Sequence, residues 1–282
     1  MAVLDTGYRP HVDLVGNIIP GYDFIISTAV SNDGNGRDPD ASDPGDWTAT
    51  RNSSWHGTHT AGTIGAVTNN SLGVAGVAFN AQIQPVRVLG TGGGFTSDIT
   101  DAIVWASGGS VAGVPNNTTP ANVINMSLGG SGACSSAMQT AINGAVGRGT
   151  VVVVSAGNSN IDAKNQNPAN CKKVIPVAAV GRKGGKASYS NFGNIVKIAA
   201  PGGDLNEFVY STLNFGTTTP AGDAYAGYQG TSMAAPHLLH GFGNARAVLC
   251  SFVSTWAGVS AGFFDSISAT VPATCGAAID VP

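Results

Sequence analysis

Val151-Val152-Val153-Val154 is a run of β-branched residues with no polar position in it. Successive side chains of a strand point to opposite sides of its sheet, so a strand of this composition must be covered on both faces. The same demand recurs along the chain. Ala2-Val3-Leu4, Ile83–Leu89, Asn122–Ser127, Val174–Val180 and Ile195–Ala199 read as further short strands. Between them, Ser97–Ser107 carries Ile99, Ile103 and Val104 on one side of a helix, and Ser135–Arg148 has helical spacing. Strands alternating with helices predict an α/β fold, a doubly wound, mainly parallel sheet with helices on both faces.

With 282 residues the chain can bury a large core, and nothing in it reads as a dividing linker, so a single domain over 1–282 is expected. Its 40 glycines, beside 43% apolar and only 10% charged residues, imply tight turns and close-packed backbone rather than disorder. A net charge of −3, with Lys172-Lys173 and Arg182-Lys183 the only adjacent basic pairs, speaks against nucleic acid as a partner. No apolar run approaches the roughly 20 residues that span a bilayer, so no membrane partner is expected, and residues 1–20 lack the order of a signal peptide. Cys134, Cys171, Cys250 and Cys275 contain no C-x-x-C pair and fit two disulfides better than a zinc site. Three pairings are open; proximity in the chain favours 134–171 with 250–275, which points to an oxidising compartment.

Several polar groups stand where chemistry could use them. The first strand ends in Asp5, at the carboxyl end where α/β sheets keep their sites, although a strand-ending Asp that caps a turn is common. Asp5-Thr6-Gly7 also matches the aspartic-protease triplet, but that chemistry shares a proton between two carboxylates and the chain holds no second D-T-G. The loop 31–46 carries Asp33, Asp38, Asp40, Asp43 and Asp46 among Gly and Pro; Asp38, Asp40 and Asp43 are the candidate ligands for Ca²⁺, a solvated acidic loop being the alternative. His56 and His59 lie a turn apart at the start of a Gly/Ala/Thr-rich helix, without the glutamate of H-E-x-x-H. One histidine as a base and the other as a packed residue is the better reading. The valine strand runs into Ser155-Ala156-Gly157-Asn158. In Gly230-Thr231-Ser232-Met233-Ala234-Ala235-Pro236 one serine stands between a turn and a helix start, where backbone N–H groups are free to hold an oxyanion.

Asp5 in V-L-D-T-G, His56 in H-G-T-H, Asn158 in S-A-G-N and Ser232 in G-T-S-M-A-A-P occur in that order, and together they resemble the subtilisin-like serine proteases, the subtilase family. The resemblance covers about residues 1–237. S-S-W-H-G-T-H, I-N-M-S-L-G-G-S-G and Cys134 look most like the extracellular proteases of Gram-negative pathogens. It implies a triad in which Ser232 Oγ attacks the scissile carbonyl, His56 carries the proton and Asp5 holds the imidazole, giving an acyl-enzyme. Asn158 and the Ser232 N–H would hold the oxyanion, a donor of that kind contributing about 2.7–4 kcal/mol.

The same resemblance implies that Ser127, Leu128, Gly129 and Gly130 form one wall of the pocket for the residue before the cut, and Ser155, Ala156 and Gly157 the other. Gly92, Gly93 and Gly94 with Phe95 would supply a strand on the far side of an extended substrate. No charge stands in these walls, so broad cleavage after apolar or aromatic residues is expected. Implied with it are protein and peptide substrates, structural Ca²⁺, secretion, a monomer, and a signal peptide and propeptide ahead of Met1.

After Pro236 the pattern breaks. His237–Arg246 holds two glycines and several polar groups where the family continues a small-apolar helix, and Cys250–Pro282 follows no family pattern. A reading-frame error in the recorded end is favoured over divergence or an early helix end. A catalytically silent, subtilase-like binding module is therefore the alternative to an endopeptidase, and a non-protease serine hydrolase a distant third.

Overall fold

The computed structural model describes residues 1–239. Eleven strands occur among them: β1 Ala2–Asp5, β2 Tyr22–Asp23, β3 Gln84–Arg87, β4 Val123–Met126, β5 Gly130–Ser131, β6 Val151–Ser155, β7 Gln166–Asn167, β8 Ile175–Val180, β9 Ile198–Pro201, β10 Val209–Asn214 and β11 Asp223–Tyr228. The helices are α1 Thr28–Ser31, α2 His56–Gly65, α3 Thr96–Ala106, α4 Ser136–Gly147 and α5 Thr231–His237. A seven-stranded sheet runs β2-β3-β1-β4-β6-β8-β9, and every pair in it is parallel.

The valine strand explains the layering. Val152 and Val154 face a core shared with Ile99, Ile103, Met138 and Ile142 of α3 and α4. Val153 faces the opposite core, with Ala61 and Ile64 of α2 and Ala234 and Ala235 of α5. Helices thus cover both faces of the sheet, as the branched run requires. The expected strand at Ile195–Ala199 begins later, at Ile198; Val196 is buried in a separate small cluster with Ala156 and Ala178.

The chain order reverses beside β1, with β2 and β3 on one flank and β4, β6, β8 and β9 on the other. A crevice at the carboxyl ends of the strands is where open α/β sheets place ligands, and Asp5, Ser127 and Ser155 lie at the carboxyl ends of β1, β4 and β6. The antiparallel hairpin β10–β11 lies against α2. Ser211 Oγ donates to His59 O and Thr212 Oγ1 to Thr58 O, both at 2.8 Å. Gly62 of α2 makes this approach possible, since a Cβ there would collide with both hydroxyls. Cys134 and Cys171 are disulfide-bonded; Cys250, Cys275 and the atypical end beyond 239 lie outside the described residues.

Candidate active site

β1 ends on Asp5, which is wholly buried, and α2 begins on His56. His56 Nδ1 lies 2.8 and 2.9 Å from the two Asp5 carboxylate oxygens. A carboxylate only accepts, so Nδ1 carries the proton and Nε2 is left as the basic nitrogen. Thr6 N–H donates to Asp5 Oδ1 at 2.8 Å and Thr60 Oγ1 to Oδ2 at 3.3 Å, which fixes the carboxylate. Burial lowers the His56 pKa, but the charge and hydrogen bond of Asp5, aided by Asp46 and Asp43, outweigh it, and the net shift is upward. Its side chain remains 22% exposed, so a reacting group can reach Nε2.

His59 has the other role predicted for the pair. Its ring is buried, stacks on Tyr228 at 4.6 Å, and shares Nε2 between Val209 O and Ala226 O at 3.1 Å each. Burial, and secondarily the His56 charge, lower its pKa to about 4, so it packs as a neutral ring at pH 7.

On the other side of the crevice, Asn158 Oδ1 accepts from Thr231 N and Thr231 Oγ1 at 2.8 and 2.7 Å. That orients the amide and leaves Nδ2 without an intramolecular acceptor. Ser232 N likewise donates to no group, while Met233 N and Ala234 N turn back to Gly230 O. A Cβ placed on Gly230 would stand 3.5 Å from Asn158 Nδ2 and 3.6 Å from Ser232 N, so both donors flank the same glycine. Ser232 Oγ donates to Ser127 O at 3.2 Å and not to His56, while Ser127 Oγ donates to Ser232 O at 2.7 Å. Catalytic hydrogen bonds are often long or redirected before a substrate is present.

The expected pocket walls face one another. Ser155 Oγ reaches Leu128 O at 3.4 Å, and Gly130 pairs with Asn167 across β5 and β7. Gln166, which the sequence did not single out, lies between the walls: a Cβ on Gly129 or on Gly157 would collide with its side chain. Thr231 stood in the quoted motif beside Ser232, but its hold on Asn158 was missed. Gly92–Phe95 do not form the expected strand. Gly90 and Gly93 exchange backbone hydrogen bonds around a tight turn in which Gly92 and Gly93 take φ of 81° and 119°, and Phe95 is already the N-cap of α3.

Asp38, Asp40 and Asp43 do not make a Ca²⁺ site. Asp43 is 1% exposed and points inward, accepting from Thr6 Oγ1 at 2.6 Å and Gly45 N at 2.8 Å. Asp38 and Asp40 instead cap their own loop, taking Asp40 N at 2.6 Å and Ser42 N at 2.9 Å. Both oxygens of Asp43 and both of Asp38 are already bonded, Asp38 Oδ2 to Asn35 Nδ2 at 2.6 Å. Among the described residues no group of three or more His, Cys, Asp or Glu side chains is placed to hold a metal. Three nearby aspartates serve the fold instead. Asp33 and Asp23 bind the buried Arg87 at 2.6 and 2.5 Å, and Asp46 accepts from Ser54 N and Oγ. Burial pushes Asp43 and Asp23 up to about 7 each, against the hydrogen bonds of Thr6 and Gly45 and the charge of Arg87 respectively.

A wholly parallel seven-stranded sheet with helices on both faces is the subtilisin-like fold. The subtilase family model matches residues 1–249, and the chain belongs to that family. It is 58% identical over 247 residues to an extracellular protease of Xanthomonas campestris, covering 84% of this chain and 42% of the relative. It is 47% identical over 251 residues to an extracellular basic protease of Dichelobacter nodosus, covering 84% of this chain and 41% of that one. The chain thus spans about two fifths of the length of these curated relatives. A solved protease of Pseudoalteromonas arctica superposes with a TM-score of 0.83 at 60% identity, over 84% of this chain and 74% of that one. No helix among the described residues is long and apolar enough to cross a membrane.

Proposed function

We propose that this chain is the catalytic domain of a secreted serine endopeptidase that cuts peptide bonds through Asp5, His56 and Ser232. The observation that carries the reading is the division of hydrogen bonds in the crevice. Asp5 engages His56 Nδ1 on one side, and on the other Asn158 is held by its oxygen alone, with its amide free. Ser232 Oγ gives its proton to His56 Nε2 as it attacks the substrate carbonyl, and Asp5 stabilises the imidazolium. Asn158 Nδ2 and Ser232 N–H receive the oxyanion. His56 then protonates the leaving amine, the peptide after the cut departs, and water hydrolyses the acyl-enzyme by the reverse proton path.

The uncharged walls 127–130 and 155–157 favour apolar or aromatic residues before the cut. The names of the Xanthomonas and Dichelobacter relatives support an extracellular location, and the Cys134–Cys171 bond fits it. A monomer made through a propeptide outside this chain completes the proposal. Casein hydrolysis by the full chain, abolished in Ser232→Ala, is the expected result; hydrolysis that survives the substitution overturns it. Fluorogenic peptides with Phe or Leu before the cut should be cleaved faster than those with Arg or Asp, and the reverse order refutes the specificity.

A further inference from the structure

We infer that Thr6 and Asp43 form a positioning device for the Asp5–His56 pair, with Thr6 closing the start of the His56 helix from the strand that bears Asp5. The inference rests on the proposed protease reading and concerns the same site.

α2 is capped only in part by its own segment: Ser54 Oγ accepts the His56 N–H at 3.3 Å. Its N-cap residue, Trp55, has φ 48° and supplies no side-chain hydrogen bond, although the first amides of any helix lack intrahelical acceptors. Thr6, from a different element, takes the next amide: its Oγ1 accepts the Gly57 N–H at 3.0 Å. The residue capping the helix therefore stands next to Asp5, and the capped residue next to His56. Thr6 also donates its own N–H to Asp5 Oδ1. One residue thus fixes the carboxylate by its backbone and the imidazole-bearing turn by its side chain. Gly57 permits this closeness, because a Cβ there would run into Gly7 O.

A threonine hydroxyl has one proton and two lone pairs, so it can cap Gly57 reliably only if its proton is engaged elsewhere. Asp43 takes that proton at 2.6 Å, in a site 1% exposed to solvent. The other Asp43 oxygen accepts Gly45 N–H at 2.8 Å, so the carboxylate is itself held on both sides. An asparagine cannot keep both bonds as they stand. One orientation of the amide sets its NH₂ against the Gly45 N–H; the other reverses the Thr6 bond, so that the Thr6 hydroxyl accepts and its proton loses its fixed partner.

The test uses the full chain and a fluorogenic peptide. Thr6→Val keeps the shape and loses the hydroxyl, Thr6→Ser restores the hydroxyl, and Asp43→Asn keeps size while reversing one hydrogen bond. Misplacement of a catalytic group by about 1 Å costs up to about 10²-fold, so Thr6→Val should lose about 10- to 100-fold in kcat with KM nearly unchanged. Thr6→Ser should recover most of that loss. Asp43→Asn should reproduce the loss in kcat and gives the same reading where Thr6→Val does not fold. Wild-type kcat in a folded Thr6→Val or Asp43→Asn chain overturns the inference, as does an equal loss in Thr6→Ser. An inactive wild type refutes the protease reading itself, which separates the two failures.

Discussion

The two sides of the crevice are built on opposite principles. On the Asp5–His56 side the polar groups are mutually engaged: Asp5 accepts from His56, Thr6 and Thr60, and Asp43 and Gly57 close around Thr6. On the Ser232 side the structure holds its donors open, with Asn158 anchored through its oxygen and its amide unpaired. The difference matches the work each side does. A base must be oriented before the substrate arrives, whereas oxyanion donors must have no other partner when charge develops.

The largest effect should come from removing the nucleophile. Ser232→Ala is expected to lower kcat about 10⁶-fold, the size known for the triad serine of subtilisin itself, with the residue of activity coming from the open donors. Single-turnover kinetics reads this, and a loss below about 10³-fold would mean that another group attacks. Next is Asn158→Leu, expected to cost about 10²–10³-fold in kcat with little change in KM, again the range known for the matching subtilisin asparagine. A loss confined to KM would make Asn158 a substrate anchor instead.

The pH profile sharpens the comparison without a mutation. Only neutral His56 can accept the serine proton, and the Asp5 charge, overcoming burial, raises its pKa above 6.5. kcat/KM should therefore rise with pH through a midpoint above 6.5 and fall as pH drops through it; a midpoint below 6.5 contradicts the assignment. The smallest effect on activity should follow loss of the disulfide. Cys134 and Cys171 are separated by 37 residues, and a loop of that length corresponds to about 4 kcal/mol of stability in the chain-entropy model. The double Cys→Ser variant should unfold at lower denaturant while its kcat stays near wild type. A large fall in kcat would tie the disulfide to the chemistry.

Much of this was legible in the sequence, and the reasons for success and failure are physical. The parallel sheet followed from branched runs that need two covered faces. Asp5, His56, Asn158 and Ser232 stand at element boundaries that local composition marks; the structure pairs Asp5 with His56 and sets the Asn158 amide and Ser232 N–H around one glycine. The hairpin β10–β11 was not anticipated because its buried positions include Ser211 and Thr212. Hydroxyls that bond to helix carbonyls hide the apolar alternation that announces a strand. The acidic loop misled for a related reason. Composition puts Asp38, Asp40 and Asp43 side by side, but which N–H each carboxylate meets depends on turns that spacing does not encode. Asp43 accordingly serves Thr6. Gln166 was invisible, and Thr231 was seen only as a neighbour of Ser232, because only the folded chain brings them to the pocket walls and to Asn158.

The most direct measurement is peptide mapping by mass spectrometry of the full chain after reaction with a phosphonofluoridate, which labels only an activated serine. The account predicts one label, on Ser232, absent from His56→Ala. No label on a folded chain, or a label on another serine, would contradict it.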